Sequence, residues 1–270
     1  MATRDPDATA YLDEWHELHA GATTRFVAPL VDSEGHTSYQ VLADSMSKAE
    51  APILDLACGD GYLLELLANG PHIGVDRSAA ELRLARRRLG DTTPLVRSDA
   101  TGLPVATGSL GGACCHFALM LLQPLEVVLE ELARVLRPSA PFAAVIPASP
   151  NEGQNVWTVF RGVWQEVVGT HPVAIPALQD DRAFDREQLA ELLSGSGLVD
   201  LAFRSFSVSR QMTVDETVQF LLLLYGPDLL SPDGRDDLVC RLKVGLAELA
   251  NEDGTVAVFE NAQLVTARRG

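Results

Sequence analysis

From residue 52 onward, short unbroken apolar runs alternate with longer stretches whose apolar residues recur at helical spacing. The runs PILDLA (52–57), HIGVD (72–76), TPLVRSD (93–99) and PFAAVIPA (141–148) read as buried strands, and LGGACCHFALMLL (110–122) holds another strand and its exit. Between them, DGYLLELLAN (60–69), SAAELRLARRRLG (78–90) and LEVVLEELARVLRPS (125–139) read as helices. Asn69-Gly70-Pro71 stops the first, Ser78 caps the second with Gly90 beyond its end, and Pro138 ends the third. This alternation predicts an α/β fold, a doubly wound and mostly parallel sheet covered on both faces.

The flanks follow other patterns. Tyr11, Trp15 and Leu18 share one face of a predicted helix over 8–20, and TSYQVLADSMSKA (37–49) predicts a second, so residues 1–50 form a helical cap. After the 51–150 core, NVWTVFRGVWQEVVG (155–169) and DREQLAELLSGSGL (185–198) predict helices within an insert over 151–200. Residues 201–270 follow with a strand from Leu198 on, a helix capped by Thr213 with Glu216 three residues later, a helix over 235–250 and a long alternating strand, TVAVFENAQLVTARR. No linker interrupts the 270 residues, which are read as one domain. The run VQFLLLLYG reads as a core helix, with a homodimer face as its other reading.

Composition narrows the partners. A net charge of −16 disfavours nucleic acid and anionic membrane. No run reaches the length of a membrane span, and the acidic start MATRDPDATAYLDEW lacks a basic-then-apolar leader, so a cytoplasmic location is expected. Cys58, Cys114, Cys115 and Cys240 form no CxxC and read as neither a disulfide frame nor a metal site. The bias toward Ala, Gly, Val, Leu and Arg over Lys resembles a GC-rich bacterial genome.

The loop after the first strand carries the candidate chemistry. A phosphate loop would end in Gly-Lys-Ser/Thr, which is missing. A dinucleotide fingerprint needs a third glycine at position 64, where leucine stands. What remains is an acid followed by small residues, Asp55, Ala57, Gly59 and Gly61, which let backbone approach a ligand closely.

The string LDLACGDGYLLELL resembles motif I of the class I S-adenosylmethionine-dependent methyltransferases. Asp76 at the end of the second strand resembles that family's ribose acid, and RSDATGLPVATGSL resembles the segment in which Asp99 and Ala100 meet adenine. CHFALMLL, LEELARVLRPSAPFAAVIP and VFENAQLVTARR resemble its later strands and helix, the last an antiparallel closing strand of a seven-stranded sheet. Ala57 replaces the usual first glycine and Ser139-Ala140 the usual Gly-Gly, changes expected to cost little.

The resemblance implies S-adenosylmethionine as cofactor, held by Asp55, Ala57, Cys58, Gly59, Gly61, Asp76, Arg77, Asp99 and Ala100. His116, just past the fourth strand, lines the sulfonium side, acts as a base, or is a packed neutral histidine. Tyr11 and Trp15 either close over the cofactor or pack in the cap. Trp157, Phe160 and Trp164, with His171 a weaker candidate, line the acceptor pocket or pack on the sheet. The implied activity is methyl transfer to a small molecule in bacterial specialised metabolism. Other readings on the same scaffold are cyclisation or elimination of the cofactor itself, releasing methylthioadenosine, and non-catalytic cofactor binding.

Overall fold

The computed structural model describes residues 6–67, 70–148 and 155–270. Three helices lead: α1 (Pro6–Leu18), α2 (Ala22–Val27) and α3 (Ser38–Ser45). The alternating core follows as β1 (Ile53–Leu56), α4 (Tyr62–Leu66), β2 (His72–Asp76), α5 (Ala79–Leu89), β3 (Leu95–Arg97), β4 (Gly112–His116), α6 (Leu125–Val135) and β5 (Pro141–Pro147). Then come α7 (Val156–Thr170), α8 (Arg186–Gly195), β6 (Leu198–Thr213), α9 (Val214–Leu221), α10 (Pro232–Ala247) and β7 (Thr255–Arg269).

The seven strands form one sheet in the order β3-β2-β1-β4-β5-β7-β6. β7 runs antiparallel to both neighbours, so it alone is reversed. The chain winds outward in opposite directions from β1 and β4, which pair directly. Ligands of open α/β sheets bind at the strand carboxyl ends beside such a switch point, here the ends of β1, β2 and β4.

Local signals explain the boundaries. Ser78 Oγ accepts the Glu81 N–H at 3.2 Å, and Thr213 and Glu216 form a reciprocal capping box at α9. α4 starts later than its apolar pattern, at Tyr62, because Gly61 adopts φ +78° as its N-cap. α10 starts earlier than predicted, because Ser231 caps it and Pro232 fits its first turn.

Three apolar clusters fill the molecule. One packs α6 and α8 against one sheet face, and a second packs α3 and α4 against the other. The third lies between α7, α9, α10 and the outer halves of β6 and β7. It absorbs Val218, Phe220, Leu221 and Leu222, so these residues of the run are interior, as its core-helix reading expects. Among the described residues, no helix is long and apolar enough to cross a membrane, and no cluster of His, Cys, Asp and Glu suits a metal. All four cysteines are free.

The two substitutions expected to cost little both fall on left-handed backbone. Ala57 has φ +57° and Ser139 φ +63°. A side chain there crowds the following carbonyl, at roughly 1–2 kcal/mol per residue, so glycine is the better fit at each.

Candidate cofactor and acceptor site

One cavity opens at the carboxyl ends of β1, β2 and β4 beneath α1. Its floor is Asp55, Leu56, Ala57, Cys58, Gly59 and Asp60, the turn leaving β1. Gly59 has φ +52°, and a Cβ there would meet only the Glu81 carboxylate at 3.7 Å, so the backbone lies open to a ligand. Gly61 is different: a Cβ there would press on Leu89 at 2.8 Å and Ala85 at 3.1 Å. It is not part of the cavity wall but seats α4 against α5, which corrects its expected role as a cofactor contact.

Acidic groups surround the cavity. Asp76 ends β2 with Oδ2 accepting the Gly59 N–H at 2.9 Å and Oδ1 accepting the Ser78 N–H at 2.8 Å, fixing its carboxylate at the rim. Asp55 is 1 % exposed, its Oδ2 has no hydrogen-bond partner, and burial beside Asp76 and Asp60 holds its carboxyl well above the usual range. Burial and Asp55 likewise push the Cys58 thiol up, keeping it protonated. Asp60 accepts from Thr24 Oγ1 at 2.7 Å and pairs with Arg88 at 2.7 Å, tying the turn to the cap and to α5.

Asp99 and Ala100 line the far end, where Thr101 donates to Asp99 through its N–H at 3.0 Å and its hydroxyl at 2.8 Å. Arg77 lies between Asp13 of α1, at 2.8 Å, and Asp99, at 3.8 Å. Opposite the acids, Leu12, Phe117, Leu121 and Leu122 give the cavity an apolar wall. Phe117 takes φ +49°, a strained conformation for a bulky residue, held by its N–H to the Val145 carbonyl at 2.8 Å.

His116 is buried on the wall. Its Nε2 lies 3.0 Å from Ser38 Oγ and its ring stacks on Tyr39 with centroids 3.6 Å apart. Burial lowers its pKa to about 3, so it is a packed neutral imidazole and a poor proton acceptor. Its unpartnered Nδ1 leaves it able to hydrogen-bond a ligand.

The aromatic residues expected at the acceptor stand elsewhere. Trp157, Phe160 and Trp164 pack in the third apolar cluster, and the Trp157 indole donates to the Phe259 carbonyl at 2.7 Å. An aromatic face at helical spacing says that it is covered, not by what, and here β7 and α10 cover it. His171 faces Asp237 of α10 at 3.8 Å, away from the cavity. Tyr11 and Trp15 form a layer behind the wall: Trp15 stacks edge-on against Tyr225, and the Tyr11 hydroxyl donates to Asp228 at 2.6 Å. The cavity wall instead includes His16 and Glu81, which the sequence pattern does not single out, and Tyr225, whose run VQFLLLLYG reads as a core helix. Glu81 carried a readable signal, an acid between Ala80 and Ala85 on the buried stripe of α5.

The donors and acceptors fit S-adenosylmethionine. Asp76 would accept from vicinal ribose hydroxyls, the open backbone at Gly59 would admit the nucleoside, and the orphaned Asp55 oxygen would take a cationic ammonium or sulfonium. A doubly wound sheet with a reversed penultimate strand and an acid-lined pocket at its switch point defines a nucleoside-cofactor enzyme class. Comparison with known proteins narrows that class. A methyltransferase-domain family matches residues 54–144. A demethylmenaquinone methyltransferase from Paenarthrobacter aurescens is 28 % identical over 184 residues, 62 % of this chain and 70 % of that protein. Its counterpart from Lactiplantibacillus plantarum is 30 % identical over 140 residues, 48 % of this chain and 57 % of that protein, so the match spans between about half and seven tenths of these relatives. In fold, the chain resembles the crystal structure of the [4+2]-cyclase SpnF, with TM-score 0.59 and 17 % identity over 96 % of this chain and 94 % of the other. Residues 54–144 are thus similar to a methyltransferase domain, and the whole chain shares the fold of the solved structure it resembles.

Proposed function

We propose that the protein transfers the methyl group of S-adenosylmethionine to a small, largely apolar molecule of bacterial specialised metabolism. The observation that carries this reading is the juxtaposition, in one cavity, of the acid-lined floor at Asp55–Asp60 and Asp76 with the apolar wall of Leu12, Phe117, Leu121 and Leu122. The quinone-type acceptors in the names of the relatives support an apolar acceptor. The compositional bias supports a GC-rich bacterial source.

When bound, the cofactor supplies an electrophilic methyl group. The chain's own residues hold and orient it. Asp76 accepts from the ribose hydroxyls, Asp99 and Ala100 meet the base, and Asp55 balances the positive charge. α1 and the Leu121–Leu122 segment keep water from the reacting face, and holding both partners in register is the main source of acceleration.

Calorimetric titration with S-adenosylhomocysteine tests the grip: wild type binds, and Asp76→Ala weakens binding by at least about tenfold, the loss of a good charged hydrogen bond. A labelled-methyl assay over a panel of quinols, phenols and amines then tests transfer. Release of methylthioadenosine from the cofactor alone, with no acceptor methylated, would overturn the reading in favour of chemistry on the cofactor itself.

A further inference from the structure

Three residues far apart in the chain meet on the cap side of the cavity. His16 of α1 presents Nε2 to the Tyr225 hydroxyl at 3.2 Å, and its Nδ1, which has no hydrogen-bond partner, stands at an ion-pair separation of 3.6 Å from Glu81 Oε1. Glu81 is 5 % exposed, and both its oxygens lie 3.1 Å from the Gly21 N–H, which pins the carboxylate in place. Trp15 packs edge-on against the His16 and Tyr225 rings, with centroids 4.9 and 4.8 Å away. Tyr11 fixes the loop that carries Tyr225 by accepting the Gly226 N–H at 2.9 Å while donating to Asp228. All three members of the chain line the cavity.

Carboxylate, imidazole and hydroxyl in that order form a proton-accepting relay. The carboxylate stands within ion-pair distance of the ring and stabilises the imidazolium once it forms. The cavity's other histidine is built the opposite way: His116 has a serine hydroxyl and a tyrosine ring beside it, and no carboxylate within ion-pair distance among the described residues. Burial by itself would penalise a charge on His116, whereas His16 has a counter-charge waiting.

Resting on the methyl-transfer reading above, we propose that Glu81, His16 and Tyr225 deprotonate the acceptor, and that the acceptor is a phenol or enol methylated on oxygen. The acceptor's hydroxyl proton passes to the Tyr225 oxygen as the Tyr225 proton passes to His16 Nε2. The acceptor oxygen uses the freed electron pair to bond the methyl carbon. The carbon–sulfur bond breaks, its electron pair stays on sulfur, and S-adenosylhomocysteine leaves. The imidazolium, held against Glu81, returns its proton to solvent. Tyr225 is never left ionised, in keeping with the upward pressure on its pKa from burial, Glu81 and Asp76. His16 and Tyr225 are the catalytic residues, and Glu81 is a positioning residue. The titratable groups facing the relay are Glu81 from α5, Asp76 from β2 and, behind Trp15, His19 of α1 itself.

The experiment uses the full chain in two arms. In the first, calorimetry measures S-adenosylhomocysteine binding to wild type, His16→Gln, Glu81→Gln and Tyr225→Phe. In the second, the labelled-methyl assay is run with substituted phenols, 1,4-dihydroxynaphthalene and matched amines, with product regiochemistry read by NMR. The proposal expects methylation on oxygen, a fall in kcat of about 10²-fold for His16→Gln, and a smaller fall for Tyr225→Phe. Cofactor affinity of His16→Gln stays within about threefold, because its partners are Glu81 and Tyr225 and not the floor of the cavity. For Glu81→Gln, kcat falls while KM for the acceptor stays at the wild-type value; a merely structural Glu81 would move both. Methylation only on carbon or nitrogen, turnover of amines but no hydroxyl compound, or unchanged kcat in His16→Gln would overturn the relay and leave the methyltransferase reading standing. Absence of cofactor binding by wild type would overturn both.

Discussion

Ser38 Oγ lies 3.0 Å from His116 Nε2, joining the first turn of α3 to the last residue of β4. The contact is buried on both sides. It gives the ring one neutral partner while burial lowers its pKa from 6.5 to about 3. The His116 imidazole resonances should therefore not titrate between about pH 5 and 8, in contrast to an ordinary histidine. Because the folded pKa is depressed, the unfolded chain binds the proton first, and stability is lost as pH falls from about 6.5 toward 3. Denaturation of wild type and His116→Phe, followed at pH 7 and pH 4.5, should show the smaller acid-side loss in the variant.

Asp55 carries the opposite sign. Burial and two neighbouring acids raise its folded pKa, so its ionisation becomes a growing cost to the fold as pH rises above the ordinary carboxylate value near 3.8. Asp55→Asn should raise the melting temperature of the cofactor-free protein at pH 7 and weaken S-adenosylmethionine binding. A cationic ligand favours the ionised carboxylate, so binding to wild type should release a proton. Calorimetry in two buffers of different ionisation enthalpy reads that release, which Asp55→Asn should abolish.

Ala57 and Ser139 occupy left-handed backbone with side chains that disfavour it. Ala57→Gly and Ser139→Gly should each stabilise by about 1 kcal/mol, the relief of that crowding less the added freedom of the unfolded chain. Chemical denaturation gives the size of both. Only Ala57 lies on the cavity floor, so only its change is expected to alter cofactor affinity.

Trp157 provides a negative control for the acceptor site. Trp157→Phe removes the indole bond to the Phe259 carbonyl and should cost about 1–2 kcal/mol by denaturation. Its KM for any acceptor should stay at the wild-type value, because the side chain does not reach the cavity.

The turn that floors the cavity is legible in the sequence because its elements are local. Asp55, Ala57 and Gly59 sit on one turn, Asp76 ends the adjacent strand, and strand-to-helix punctuation marks each boundary. Gly61 was misassigned because a glycine that admits a ligand and one that admits a neighbouring helix look alike until Ala85 and Leu89 are placed. The grouping proposed as the relay is not legible. His16, Glu81 and Tyr225 meet only through the docking of α1 on α5 and the return of the chain after α9, and no local pattern encodes those distances. Trp157, Phe160 and Trp164 misled for the same reason, since amphipathic spacing identifies a covered face and leaves its cover unnamed.

The apolar cluster of α7, α9 and α10 with the outer halves of β6 and β7 gives these elements an interior of their own, built around Val167, Val218, Leu238 and Val258. Substitutions there need not propagate to the strands that carry Asp55 and Asp76. Tyr225 lies outside that interior, packed instead against the cluster that includes Leu54, Leu56 and Val75 of the cofactor-side strands.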